Sequence, residues 1–289
     1  MKNTPKKDAD KLIIDFHTHI FPDPLAKKAL DLLTKSLREQ EPDVDPNVPY
    51  TDGTVAGLSK SAKAAGIDIS VVMPIATSAK SSMTINSFAS QVDKMPGLRS
   101  FGSVHPNYTG ALGELETIKQ LGLCGIKLHP EYQNILPDSP NTVAVIKRAA
   151  ELGLWVLFHA GADIGLPPPV HGTPARFARL KSAVPDAKII LAHMGGFRMW
   201  KEAEQVFRGM DIFIETSFSL DIHPEEEEHF LGLIRQIGTD RVLFGTDSPW
   251  ADQKAVLQTV QRFLSENGFT KIESEAILGG NAAKILGLG

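Results

Sequence analysis

The sequence predicts an α/β chain folded as a (β/α)₈ barrel of the TIM type, and three observations carry that prediction. Short runs rich in Ile, Val, Leu and Phe recur along the 289 residues. The segments between them carry amphipathic helical patterns. An open doubly wound sheet would place a Gly-rich nucleotide turn after the first run, and "HTHIFPDP" stands there instead.

In chain order the runs are "KLIIDFHTH" (11–19), "IDISVVMPIA" (67–76), "LRSFGSVHP" (98–106), "LCGIKLHP" (123–130), "LWVLFHAG" (154–161), "AKIILAHMGG" (187–196), "MDIFIETSF" (210–218) and "RVLFGTDSPW" (241–250). Strands buried on both faces of a parallel sheet read as nearly continuous apolar runs, and eight βα units close into a barrel. The helical patterns "NTVAVIKRAAELG", "TPARFARLKSAVP" and "PEEEEHFLGLIRQIG" have Pro or Thr at their starts and Gly or Pro after their ends. The four acids at 225–228 fall in a first helical turn after Pro224, where the helix dipole favours negative charge. The stretch from His19 to the second run has room for two helices and the Pro-rich piece "EPDVDPNVPY", so residues 21–66 read as an insertion over the active face. Residues 1–10 are expected to form a loose tail and 11–289 a single barrel domain, since composition marks neither a linker nor a repeat.

An apolar fraction of 42% supports a full core, and a formal net charge of -4 offers no surface for nucleic acid. Cys124 is the only cysteine, which excludes an intrachain disulfide, a thiolate-only metal site and a redox pair, and fits a reducing compartment. The start "MKNTPKKDADK" has no apolar stretch behind it, and no segment reaches the ~18 apolar residues of a membrane span. The expected partner is therefore a small-molecule substrate in the cytoplasm, with no membrane; the sequence leaves the oligomeric state open, a homo-oligomer included.

Histidines sort themselves along this frame. Six of the nine, His17, His19, His105, His129, His159 and His193, fall in the last positions of predicted strands 1, 3, 4, 5 and 6, and strand 8 ends in Asp247. Side chains alternate along a strand, so His17 and His19 emerge on one side, about 7 Å apart. The C-terminal ends of barrel strands open onto one face, where catalytic groups of this fold sit. Closure sets strand 8 beside strand 1, so Asp247 meets the two histidines. Three or four imidazole nitrogens with one carboxylate oxygen and no sulfur suit Zn²⁺, or Fe²⁺, Mn²⁺, Co²⁺ or Ni²⁺.

The motifs "DFHTH", "FHAG", "LAHMGG" and "FGTDSPW", in that order on strands 1, 5, 6 and 8, resemble the amidohydrolase superfamily. Within it they look like the amidohydrolase-related branch, which also holds aminocarboxymuconate-semialdehyde decarboxylase, and the resemblance covers residues 11–287. It implies that His17, His19, His159 and Asp247 hold the metal, Zn²⁺ foremost. It also implies that His193 stands near the activated water or a substrate oxygen, and that Asp247 takes a proton from that water. The activity expected from it is metal-dependent hydrolysis of a small ester, lactone or amide. The alternative is non-oxidative decarboxylation of an aromatic or enal-type acid. A non-catalytic binding protein is the third reading, disfavoured because all five core positions carry residues able to do chemistry.

Strand 4 adds a choice. Alternation puts Lys127, His129 and Glu131 on one inward face. In several superfamily branches this strand bridges a second metal, a part that a carbamylated Lys127 or Glu131 would take here. The simpler reading keeps one ion, with Lys127 an ammonium paired to Glu131 or to an anionic substrate, and His129 facing substrate. At the mouth Phe21, Tyr132, Arg198, Trp200 and Trp250 are candidate substrate contacts, Arg198 as a bidentate grip on a carboxylate. Asp15 either holds a ring nitrogen of a ligand histidine or is a buried acid bonded to backbone amides. His105 reads as a strand-end cap, and His171, His223 and His229 as surface or capping residues.

Overall fold

Every predicted apolar run forms a strand. The structure, a computed structural model, describes residues 12–78 and 81–288; the tail expected at 1–10 lies outside the described residues. The strands are β1 (Ile14–Thr18), β2 (Ile69–Val72), β3 (Leu98–Ser100), β4 (Gly102–Ser103), β5 (Gly125–Leu128), β6 (Trp155–Phe158), β7 (Lys188–Leu191), β8 (Phe213–Glu215) and β9 (Val242–Leu243). They are shorter than the runs because the C-terminal residues of each run leave the sheet to form the mouth.

All strand pairs are parallel, in the orders β1-β2-β3 and β4-β5-β6-β7-β8-β9. Phe101 joins the two groups, its N–H donating to Val72 O at 3.0 Å, so β3 and β4 are one interrupted barrel strand. The ring closes where Phe16 N–H donates to Phe244 O (2.8 Å) and Asp247 N–H to His17 O (2.8 Å), with Thr18 bridged to Ser248. The fold is a (β/α)₈ barrel.

Two apolar layers hold it. Phe16, Val71, Phe101, Leu157, Ile190 and Leu243 pack inside the ring, with Ala282 and Ile285 of the C-terminal segment in the same cluster. Residues of opposite parity, such as Leu128, Val156, Ile189 and Ile214, pack outward against the helices. Truncating a side chain of this kind to Ala costs about 2–5 kcal/mol. Helices Pro140–Glu151 and Pro174–Ala183 begin with Pro in the first turn, as the sequence signals. The acidic run divides between a 3₁₀ turn, Pro224–Glu226, and the helix Glu227–Ile237.

Between β1 and β2 the chain forms α1 (Asp23–Gln40) and α2 (Val55–Ala65). α2 is capped by Thr54, whose side chain accepts from Gly57 N–H, and ends at Gly66 in the left-handed region (φ 79°). α1 lies over the mouth, tethered by Ser36 Oγ donating to Gly165 O at 2.7 Å. Among the described residues no helix is long and apolar enough to cross a membrane.

Candidate active site

Alternation along β1 fails just where the chemistry begins. The register with β2 shifts between Asp15 and Thr18. Ile14 and Phe16 belong to the barrel interior, yet His17 and His19 also reach the inward-facing mouth. Asp15 does not share their side. It accepts the N–H groups of His17 (3.3 Å) and Thr246 (3.0 Å), the Thr246 hydroxyl (2.6 Å) and the amide of Gln253 (2.7 Å). It is thus the buried, amide-bonded acid of the two readings. Burial pushes its carboxyl up to about 7, outweighing those hydrogen bonds.

Backbone strain marks the same region. His193 (φ 56°), Met194 (φ 55°) and Asp247 (φ 65°) occupy the left-handed region, at a cost of about 1–3 kcal/mol each. Neighbours hold them there: the indole of Trp200 donates to His193 O at 2.9 Å, and Asp247 is fixed between His17 O and the N–H of Trp250.

The donor atoms converge. His17 Nε2 is 3.1 Å from His19 Nε2 and 3.5 Å from Asp247 Oδ1, and His19 Nε2 is 3.0 Å from that same oxygen. His17 Nδ1 lies 2.9 Å from Glu215 Oε1, an acceptor, so its proton sits on Nδ1 and its Nε2 carries a lone pair. Asp247 Oδ1 is buried, and its polar neighbours are these two imidazole nitrogens. Electron pairs packed this closely repel unless a cation lies among them. Donors about 2.1 Å from one ion, at angles of about 90–110°, stand about 3.0–3.4 Å apart, which is the spacing here. The three residues fit a divalent metal.

His159 and His193 repeat the pattern beside this group. His159 Nε2 is 2.9 Å from Ala162 O and His193 Nδ1 is 3.2 Å from Ser217 O, so each gives its proton to a carbonyl. Their remaining nitrogens, His159 Nδ1 and His193 Nε2, face each other at 3.0 Å. His159 is therefore on the floor but outside the His17, His19 and Asp247 cluster; its closest cation-type grouping is with His129 and Asp163. The rings of His129 and His159 stack at 4.1 Å, and His129 Nε2 is 3.3 Å from Asp163 Oδ2.

Electrostatics follow from enclosure. Burial, foremost, pushes His17, His129 and His159 well below the usual histidine range, so they stay neutral and able to ligate. Burial also raises the Asp247 carboxyl, but the rings of His17, His19 and His193 outweigh it and hold it well below the usual range. Lys127 is buried with Nζ 3.1 Å from His17 Nε2, and burial pushes its ammonium down to about 8.

Above this floor lies a cavity of about 420 Å³. Phe21, Tyr132 and Trp250 line it, as do Lys127 and His129. Glu131 does not. β5 ends at Leu128, and His129 caps the single turn Pro130–Gln133 by accepting from Tyr132 N–H. The turn breaks the alternation and sends Glu131 to the N–H groups of His171 (2.8 Å) and Gly172 (3.0 Å), away from Lys127. Arg198 is also turned away: its guanidinium donates to Glu41 Oε1 at 2.6 Å and the side chain is 45% exposed. Trp200 packs on Phe197 and Phe230. His105 accepts Asn107 N–H, as a strand-end cap does, while His171, His223 and His229 pair with Glu131, Glu225 and Glu204.

Three polar residues of the site escape a reading of the sequence. Glu215 takes His17 Nδ1 and the N–H of His193 (3.0 Å) on Oε1. Ser217 donates its hydroxyl to the same oxygen (2.7 Å) and its N–H to Oε2 (2.6 Å). The third is Asp163. The signal for Glu215 is an acid inside the apolar run "DIFIETSF", since a buried charge needs partners; Asp163, in a loop, has no comparable signal.

Comparison with known proteins bears on the family and the fold. A sequence-family profile described as amidohydrolase matches residues 14–288. No curated protein matches the chain in sequence. Among solved structures, the 5-carboxyvanillate decarboxylase LigW from Sphingomonas paucimobilis is similar with TM-score 0.71 and 18% identity, over 96% of this chain and 99% of that one. The 5-carboxyvanillate decarboxylase of Novosphingobium aromaticivorans, solved with manganese and 3-methoxy-4-hydroxy-5-nitrobenzoic acid, gives 0.70 at 13% identity, over 97% and 98%. A probable 2-pyrone-4,6-dicarboxylic acid hydrolase from Acinetobacter baumannii gives 0.62 at 15% identity, over 95% and 99%. At these identities the likeness is one of fold.

Proposed function

We propose, since the chain belongs to the amidohydrolase family, that it is an enzyme removing the carboxyl group of a small aromatic or enal-type acid without an oxidant. The observation that carries this reading is the cavity: an apolar chamber closed below by one polar, lone-pair-rich floor with a buried ammonium. The decarboxylases among the similar folds support it. His17, His19 and Asp247 would hold the divalent metal, and nitrogen with oxygen donors suits Zn²⁺ as well as Mn²⁺. When bound, that ion supplies positive charge that fixes a substrate oxygen and offsets negative charge gathering on the substrate.

The residues do the rest. Lys127 meets the carboxylate at the floor, while the apolar wall strips its water, which stabilises the carboxylate more than the charge-dispersed transition state. The carbon that loses CO₂ must gain a proton. Asp247, ionised at rest, collects one from a substrate hydroxyl or solvent and delivers it, a weak base being a strong acid once protonated. The C–C bond then breaks, its electron pair returns to the substrate, CO₂ departs and the new C–H bond remains. His193, its Nδ1 proton held by Ser217 O, keeps Nε2 aimed across the floor to orient a substrate hydroxyl.

Hydrolysis is the second reading, favoured by one observation: the Asp247 carboxylate lines the cavity beside the His17 and His19 nitrogens, where it could take a proton from water. Incubating the metal-loaded protein with hydroxybenzoates in D₂O separates the two. CO₂ release with deuterium at the vacated carbon is the expected result. Cleavage of esters or lactones with no CO₂ from any acid would overturn it. Asp247→Asn is expected to retain part of the metal and lose about 10²-fold or more in kcat, read by elemental analysis beside initial rates.

A further inference from the structure

We infer that Asp163 and Tyr132 form a contact point, between the floor and α1, that reads a hydroxyl group on the substrate: Asp163 accepts a hydrogen bond from it and the Tyr132 hydroxyl donates one to its oxygen. The inference deepens the decarboxylase reading by naming a substituent that the acid carries, and it rests on that reading only in taking the cavity as the place of the substrate.

Asp163, Tyr132, Gly165 and Leu37 all line the cavity. The loop that carries Asp163 is held at several points. Gly165 N–H donates to Asp163 Oδ1 at 2.8 Å, Ser36 Oγ of α1 donates to Gly165 O at 2.7 Å, and His129 Nε2 stands 3.3 Å from Asp163 Oδ2. His129 Nδ1 accepts Tyr132 N–H, which leaves the ring proton on Nε2, facing the carboxylate. The same turn seats the Tyr132 ring 4.4 Å from that of His129. Both side chains are therefore fixed before a ligand arrives, which spares binding the entropy of ordering them.

Gly165 leaves space at the point where they meet. A β-carbon on Gly165 would stand 3.2 Å from Asp163 Oδ1, 3.5 Å from the Tyr132 hydroxyl oxygen and 3.9 Å from Leu37 N, the nearest atoms among the described residues. One heavy atom thus fits there within reach of both oxygens. A carboxylate oxygen accepts more than one hydrogen bond, and burial pushes the Tyr132 phenol above its usual range, so that it stays a donor. An acceptor and a donor that border one point match a hydroxyl group, which is both. A methoxyl lacks the proton that Asp163 would accept, and a carboxylate there would be repelled by it. Sites that bond a substrate hydroxyl reject the analogue without it more strongly than an apolar wall rejects a changed methylene.

The test is titration calorimetry of the metal-loaded protein with benzoate, 3-hydroxybenzoate and 4-hydroxybenzoate, in which the hydroxyl stands too far from the carboxylate for both to chelate one ion. The ratio of the benzoate Kd to the hydroxybenzoate Kd, taken within one protein, measures the gain from the hydroxyl. That gain is expected to reach about tenfold for one of the two isomers. Tyr132→Phe keeps the ring and removes the hydroxyl. Gly165→Ala fills the point with a methyl, at a backbone position outside the left-handed region. Each should bring the gain below about threefold. A ratio within each protein cancels a general loss of affinity, and a thermal melt checks that each variant is folded. A gain absent with both isomers, a gain that survives in either variant, or no binding of any of these acids at millimolar concentration would overturn the inference. Binding is read apart from turnover, so a gain that behaves as expected with no CO₂ from any acid would remove the decarboxylase reading and leave the hydroxyl contact.

Discussion

Replacing His17 and His19 together by alanine is expected to strip the protein of its divalent metal and to bring turnover to background, while the chain still unfolds cooperatively. The two Nε2 atoms are two of the three donors clustered within 3.5 Å of one another. Asp247 alone cannot hold an ion against buffer, and the free nitrogens of His159 and His193 face each other rather than that oxygen. The fold should survive because the interior layer of Phe16, Phe101, Leu157 and Leu243 is untouched. Glu215 loses His17 but keeps Ser217 and the His193 N–H. One lost buried hydrogen bond and a small cavity amount to about 1–3 kcal/mol, a few degrees in Tm for a chain of this size. Elemental analysis of protein purified without chelators, with a thermal melt alongside, reads both. A full metal load in the double variant would show that the donor set has been misassigned.

How much of this was legible in the sequence depended on whether a feature is local or tertiary. Parallel strands buried on both faces must be apolar along their length, so the eight runs stand out, and polar residues at their C-terminal ends are anomalies that mark the mouth. That is why His17, His19, Lys127, His129, His159, His193 and Asp247 could all be placed at one face before any coordinates, and the cavity does collect them. Where alternation was extrapolated beyond the strand it failed. Asp15 and His17 are parted by a register shift in β1. Glu131 was carried off by a helical turn that begins one residue after His129. Partner choice was the least legible, because it joins residues remote in sequence. Arg198 has the composition of a carboxylate grip, but Glu41 from the far end of α1 claims it. Glu215 was hidden inside an apolar run, and its role appears only when β8 is seen between β7 and β9, facing His17 across the ring.

Glu215 carries the second large effect, as a positioning residue that acts through His17 and His193. Four donors converge on its carboxylate: His17 Nδ1, the Ser217 hydroxyl and the His193 N–H on Oε1, and the Ser217 N–H on Oε2. The first of these fixes the proton on His17 Nδ1, which is what leaves Nε2 free to ligate. Glu215→Ala removes the shared acceptor of all four in a fully buried place and leaves the His193 and Ser217 N–H groups unpaired, while the Ser217 hydroxyl stays within reach of the His17 and His193 rings, an expected loss of about 3–5 kcal/mol and on the order of 10 °C in Tm. That variant alone would not separate folding from ligation. Glu215→Gln does, because it keeps shape. Its oxygen can occupy the Oε1 position and still accept from His17, the Ser217 hydroxyl and the His193 N–H, while its amide nitrogen faces the Ser217 N–H donor to donor, so part of the stability is lost but three of the four donors stay paired. The acceptor is now neutral, however, and a neutral amide makes the imidazole a weaker donor to a cation than a carboxylate does. Metal affinity of Glu215→Gln, measured by chelator competition at a temperature where the variant is fully folded, should fall about 10–100-fold, and kcat at saturating metal should fall less than kcat at limiting metal. A purely structural role predicts the opposite pattern, a lowered Tm with the metal Kd within twofold of the parent, and that outcome would remove Glu215 from the chemistry of the site.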